Sequence, residues 1–297
     1  MEYSFKSAIH TMVKHTFLYL ILVFWTGTIF GQKNLQNYQL YNAKGKPITF
    51  KKMVKSAKKH ELVFFGELHN NPVCHWLQME LVKALHAEQS VQIGVEMFER
   101  DNELDLQKYL SGAIDIETMD SLVRLWPNYY TDYSPVLEFA KANGIPYSGT
   151  NVPRRYASQV YRKDFAALDS LSTEEKSWIA PLPIAYDANL KPYQDMLSMM
   201  GGHGGSTLPK AQALKDATMA YFTLKEWEPG RLFIHINGAY HSDNFSSILW
   251  YIEQARPATE MLTITTIVQE DIHTFDQEAL GRADYYLVID EDLTTSY

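Results

Sequence analysis

Six short apolar runs, set apart by helix-like segments, constrain the fold of this chain more than any other feature. They cover residues 61–65, 92–97, 145–149, 232–236, 262–268 and 285–289. Each is rich in β-branched or aromatic residues and bounded by glycine, polar residues or charge, the mark of a strand. The first four hardly alternate between apolar and polar, as strands buried on both faces do. Helical patterns lie between them, at 72–88, 135–142, 153–163, 209–227 and 245–254. Strands that alternate with helices predict an α/β fold with a central, mostly parallel sheet flanked by helices.

Local signals support this layout. Asn71-Pro72 and Ser134-Pro135 each join a capping residue to a proline at the first helical position. Pro153 and Pro209 also stand where helices begin. About 80 residues separate the third run from the fourth, too many for one crossover. They predict a helical insertion over about 155–228, a lid above one end of the sheet. It contains the loop Gly201-Gly202-His203-Gly204-Gly205.

Residues 1–31 read as a signal peptide. Lys6 and Lys14 give a positive start, and an uninterrupted apolar run from Phe17 to Trp25 is extended through Phe30. The run is shorter than the roughly 20 residues a membrane span needs. Export is therefore expected, to the periplasm or the outer membrane surface, leaving 32–297 as a single α/β domain. The competing reading is an uncleaved N-terminal anchor. No cysteine follows the run, so a lipid anchor is not supported. The lone cysteine, Cys74, also rules out an intramolecular disulfide framework. The net charge of −8 and the lack of any basic run argue against a nucleic-acid partner.

The unusual polar residues gather at strand ends. Glu67 and His69 follow the first run, Glu96 closes the second, Asn151 and Arg154 follow the third, and Asn237, Gly238 and His241 follow the fourth. The carboxyl edge of an open parallel sheet is where ligands bind. If Asn71 caps its helix, His75 stands one turn in, close to Glu67 and His69, with Gln78 on the same face. Glu96 sits in the apolar setting Gly94-Val95-Glu96-Met97-Phe98, and a buried carboxylate needs a partner. Arg154 is one candidate partner. Gln212, Asp216 and Met219 share a helix face and could line the site from the lid; the bland reading of that face is a solvated stripe.

Several of these elements, taken in order, resemble the ChaN-like haem-binding uptake family of the Tiki superfamily. They are Phe65-Gly66-Glu67-Leu68-His69-Asn70-Asn71-Pro72 with His75 and Gln78, then Gly94-Val95-Glu96-Met97-Phe98, then Trp126 with Tyr133 and Pro135. Asn151-Val152-Pro153-Arg154, Ala211-Gln212 with Asp216-Ala217-Thr218-Met219-Ala220, and Gly238-Ala239-Tyr240-His241 complete the set. The match covers roughly residues 40 to 257, and the last 40 residues carry no motif. The resemblance implies haem as cofactor and a role in iron or haem uptake at the envelope. Envelope transport partners and a homodimer are compatible with it. Here His203 stands between glycines, without the cysteine that often accompanies it in the family.

Two chemistries follow. In the first, haem iron takes an axial ligand from the lid, where His203, Tyr193 and the cluster Met196, Met199 and Met200 are candidates. A propionate meets Arg154, and His75, Asn151, Gln212 and Asp216 line the ligand site. In the second, wider kinship with Tiki, TraB and erythromycin-esterase-like proteins implies a hydrolase of peptides or esters. Glu67, Glu96 and His241 would then be catalytic, and Glu67, His69, Glu96 and His241 would hold a divalent metal ion.

Overall fold

The computed structural model describes residues 35–199 and 205–297. The leader at 1–31, Met200 and His203 lie outside the described residues. All six expected strands form, and they join one eight-stranded sheet. The strands are β1 (Tyr38–Asn42), β2 (Pro47–Ile48), β3 (Leu62–Glu67), β4 (Val91–Glu99), β5 (Tyr147–Asn151), β6 (Leu232–Gly238), β7 (Met261–Gln269) and β8 (Tyr285–Asp290). Their order across the sheet is β2-β1-β8-β7-β3-β6-β4-β5. From β8 to β5 every pairing is parallel, whereas β1 runs antiparallel to β8 and to β2. The fold is thus α/β with a mostly parallel sheet.

Both faces of the sheet are covered, which accounts for the unbroken apolar runs. Val63 and Phe65 of β3 pack with Ile93, Val95, Ile234 and Ile236 in one core. Leu62 and Phe64 point the other way, against Phe233, Met219, Ile248 and Ile252. A strand with apolar layers on both sides gains nothing from polar alternation.

The helix Pro72–His86 starts as its sequence predicts: the Asn71 side chain accepts from the amides of Val73 and Cys74, with Pro72 at the first position. Ser134 does not cap its helix, because a π-type turn, Tyr129–Tyr133, runs straight into Ser134–Asn143. The helix expected from 245 is Ile248–Ala255, since Asn244, Phe245 and Ser247 all take positive φ and break the helical path. Among the described residues, four α-helices lie in the insertion between β5 and β6: Arg154–Lys163, Thr173–Lys176, Lys191–Met199 and Leu208–Glu226. Asn37–Tyr297 form a single unit. Among the described residues no helix is long and apolar enough to cross a membrane.

The order β3-β6-β4-β5 brings the carboxyl ends of four strands side by side. Glu67 pairs in register with Gly238 across β3 and β6. β4 follows β6 only as far as Val95, then shifts against β5 before Glu99 meets Asn151. Such an irregularity re-aims the side chains within it, and Glu96 lies there. Gly149 permits it, because a Cβ at that position would lie 2.7 Å from the carbonyl oxygen of Phe98.

Candidate functional site

Two buried carboxylates organise the sheet edge. The first, Glu67, ends β3 and is 2% exposed. Its Oε1 accepts from the Tyr133 hydroxyl at 2.7 Å and lies 2.9 Å from His69 Nδ1. Its Oε2 accepts from the Gln78 amide at 2.7 Å, with His75 Nδ1 at 3.5 Å. Burial by itself would raise the Glu67 carboxyl; His75 and the His69 hydrogen bond outweigh it and hold the group below its ordinary value. Tyr133 is pushed far the other way, by burial and by Glu67, and stays a proton donor.

The backbone beside Glu67 is clamped as well. The His69 carbonyl accepts from Asn128 Nδ2 at 2.7 Å and lies 3.1 Å from His75 Nε2. Asn128 also donates to Asp132 at 2.6 Å. Tyr133, Asn128 and Asp132 come from the segment between β4 and β5, whose bonding role had no signal in the sequence beyond the family-like Tyr133.

The second carboxylate, Glu96, is 4% exposed. Its Oε2 accepts from the Gly238 amide at 2.7 Å, and its Oε1 lies 3.2 Å from His241 Nε2. His241 Nδ1 lies 2.5 Å from Asp216 Oδ1, and Asp216 Oδ2 accepts from the Tyr193 hydroxyl at 2.8 Å. The Gln212 amide rests against the His241 ring, 3.1 Å from Nδ1. Burial opposes a charge on His241, but Glu96 and Asp216 on either side overcome it and raise its pKa to about 9. At neutral pH His241 is therefore an imidazolium between two carboxylates. Glu96 is held well below the carboxylate range, because His241 outweighs the effect of burial.

These bonds correct three expectations. Glu96 does not pair with Arg154, whose backbone amide donates instead to Glu99 at 3.0 Å. Tyr193 is not at a ligand surface: it is fully buried, its hydroxyl is taken by Asp216, and burial drives its pKa far above the ordinary value. Glu67, His69, Glu96 and His241 do not form one ligand sphere. Among the described residues no three His, Cys, Asp or Glu side chains could hold a metal ion together. Both oxygens of each glutamate face protein donors. Gln212 and Asp216 do meet the site through His241, whereas Met219 packs in the core below.

Beside Glu96 opens a cleft of about 380 Å³, with His69, Trp126, Asn151, Arg154 and Lys215 among its walls. This is within the size range of small-molecule sites. The His69 side chain is 39% exposed and meets Trp126 edge to face, with centroids 4.8 Å apart. Burial would lower its pKa; the Glu67 hydrogen bond and the field of Glu96 raise it instead. Asn151 gives its amide to the Glu96 carbonyl at 3.1 Å, while its buried Oδ1 has no partner. His75 lies behind the cleft, 4% exposed and bonded to Gln78 and the His69 carbonyl.

With this geometry established, known proteins provide a frame. A solved structure described as cofacial haem binding to ChaN of Campylobacter jejuni superposes with a TM-score of 0.65 at 16% identity, covering 87% of this chain and 98% of that one. The curated protein RETICULATA-RELATED 5, chloroplastic, of Arabidopsis thaliana is 22% identical over 200 residues, 61% of this chain. The chain spans only 27% of that relative's length. The family model described as haem-binding uptake, Tiki superfamily, ChaN matches residues 53–252. The chain belongs to this ChaN family of the Tiki superfamily.

Proposed function

We propose that this protein binds haem in the cleft at the carboxyl ends of β3 to β6, with His69 as the iron ligand, and that it serves haem or iron uptake at the cell envelope. Family membership supports the ligand class. One observation carries the site: among the described residues that line the cleft, His69 is the only imidazole, half-exposed, with Nδ1 bound to a buried carboxylate. A histidine that ligates a metal through one nitrogen commonly gives the other to such a partner, which fixes its orientation. The donor set therefore fits haem. Bound haem would supply an iron with open axial positions on a flat apolar macrocycle.

The chain's own residues divide the remaining work. Glu67 fixes the His69 ring, and Tyr133 and Gln78 hold Glu67 in turn. Trp126, Pro127 and Val152 offer apolar wall to a macrocycle. The leader-like pattern at 1–31 supports export. A haemin titration read by absorbance tests the reading. A saturable Soret shift at low stoichiometry is expected, and a shift that only grows linearly with haemin overturns it. Cell fractionation tests the location, with the protein expected outside the cytoplasm.

A second reading rests on the chain Asp216–His241–Glu96. A charged His241 can give a proton to a leaving group while Glu96, 3.2 Å away, takes one from attacking water, and return of that proton to His241 closes the cycle. In this reading one water hydrolyses one ester or peptide bond. Activity lost in both Glu96→Gln and His241→Gln would support it, and activity retained in both would remove it.

A further inference from the structure

Positive charge on this chain is gathered into one stretch. Residues 33–60 hold eight lysines and not one aspartate or glutamate, on a chain whose net charge is −8. Never more than two of these lysines adjoin, so the stretch is no basic run in sequence, and folding brings the charges together. The helix Phe50–Ala57, capped by Thr49, turns Met53, Val54 and Ala57 into the core. Lys51, Lys52, Lys55 and Lys59 are exposed, and Lys58 is partly so. Positions three and four apart share one side of a helix, so lysines line the solvent side of this one. Exposed Lys44 and Lys46 add two charges from the turn between β1 and β2.

Little on the protein answers this charge. Among the described residues only Lys58 of the group forms an ion pair, with Glu88. Glu80, on the adjoining helix Pro72–His86, pairs with Lys83, and the Glu61 carboxylate accepts from the Glu260 amide. Unpaired cations gathered on one surface attract an extended anionic partner. Aromatic groups border the face. Leu40 of β1 packs in the same core as Met53 and Val54, and Tyr38, on the same side of β1, packs against that core. The Tyr38 ring meets Trp76 with centroids 5.7 Å apart, and Trp76 is 49% exposed. Asp290, Glu291 and Asp292 follow Ile289, the strand partner of Tyr38, and bound the surface at that end. Half-wet Trp and Tyr rings suit the boundary between lipid and water. In sequence, only Gly31 to Asn34 separate Leu35 from the apolar run that ends at Phe30. The lysine face thus belongs to the part of the chain next to a segment that a membrane handles.

We infer that the lysine face of Phe50–Ala57 and the β1–β2 turn docks this protein on a bilayer rich in anionic lipid headgroups. The lysines supply the attraction, and Trp76 stands at the border of the face. None of these residues lines the cleft, so the docking surface is separate from the ligand site and does not depend on the haem reading.

Co-sedimentation with vesicles tests this on the chain from Gln32, because Asn37–Tyr297 form a folded unit of their own. Vesicles of phosphatidylcholine alone are compared with vesicles of phosphatidylcholine and phosphatidylglycerol in equal parts. Binding is expected on the anionic vesicles only, and should be lost in about 1 M salt, where the screening length falls to about 3 Å. The variant Lys51→Gln, Lys52→Gln, Lys55→Gln, Lys59→Gln should bind the anionic vesicles more weakly by about tenfold or more. A control variant, Arg162→Gln, Lys163→Gln, Lys176→Gln, Lys225→Gln, loses the same charge from exposed residues of other helices and should bind as the parent does. An unchanged circular dichroism spectrum and melting midpoint establish that both variants are folded. Equal binding of anionic and neutral vesicles by the parent, or equal loss in the two variants, overturns the docking face. Tighter retention of the parent by a DNA duplex than by the anionic vesicles at the same salt would give the face to nucleic acid, and overturns it as well.

Discussion

His69 and Gly238 compete for one space. A Cβ on Gly238 would stand 2.7 Å from His69 Cε1 and 2.9 Å from its Nε2. The glycine that ends β6 therefore allows the imidazole of the β3 end to lie over it, while its amide holds Glu96. Gly238→Ala should displace the His69 ring. Haemin titration is expected to show a loss of affinity similar to that of His69→Ala. The strain of an added buried methyl should also lower stability by about 1–3 kcal/mol in denaturant melts. Full haem affinity in Gly238→Ala would argue that the ring position is unimportant.

The Tyr133 hydroxyl donates a hydrogen bond to Glu67 at 2.7 Å, in a place where neither group meets water. Tyr133→Phe leaves the carboxylate with one donor fewer. The expected cost is about 1–3 kcal/mol by chemical denaturation, the range for a buried polar group deprived of a partner. Gln78→Leu removes the donor to the other oxygen and should act in the same direction. A Tyr133→Phe variant as stable as the parent would show that Gln78, His69 and His75 hold Glu67 without the hydroxyl.

The His241 centre makes stability depend on pH with a defined sign. Glu96 faces His241 from β4, Asp216 and Gln212 face it from the helix Leu208–Glu226, and the field of His69 reaches Glu96 from the loop after β3. The His241 pKa rises from 6.5 to about 9 on folding. Its contribution is therefore complete below pH 6.5 and is lost as pH rises through about 9, by an amount on the order of a few kcal/mol. Glu96 has the opposite sign: its lowered pKa stabilises above the ordinary value of 4.5 and that stabilisation fades as pH falls. Thermal midpoints should thus decline from pH 6.5 to above 9 more steeply in the parent than in His241→Gln. Parallel curves would mean that His241 is not charged in the folded state.

Gly149 tests the local irregularity that aims Glu96. A side chain there meets the backbone of Phe98, which cannot swing aside as a side-chain tip could. Gly149→Ala is expected to destabilise by about 1–3 kcal/mol and to weaken the Glu96–His241 couple. In that variant the alkaline decline in melting midpoint should flatten; an unchanged pH profile would separate β5 packing from the site.

What the sequence disclosed follows from where its signals are local. The six parallel strands were legible because two-sided burial removes polar residues from runs such as 61–65 and 232–236. β1 and β2 were not, since Pro47–Ile48 is two residues long and Tyr38–Asn42 is fixed by antiparallel pairing with β8, nearly the whole chain away. Glu67, Glu96 and His241 stood out as polar residues ending apolar runs. The division of these residues into two hydrogen-bonded centres was hidden, because it depends on Tyr133, Gln78 and Asp216 arriving from other elements. Tyr193 misled for the same reason: its helix pattern does not tell that its hydroxyl is buried on Asp216 rather than turned to a ligand. Lys215 carried no signal in the sequence; the cleft places it with Arg124 and Arg154.

The most direct test compares the haem absorbance spectra and affinities of the parent chain, His69→Ala and Tyr193→Phe. The account predicts that His69→Ala shifts the Soret band and weakens haemin binding by tenfold or more, on the order of 1.4 kcal/mol, whereas Tyr193→Phe keeps both spectrum and affinity. A parent-like spectrum in His69→Ala, or its loss in Tyr193→Phe alone, would contradict the assignment of His69 as the iron ligand.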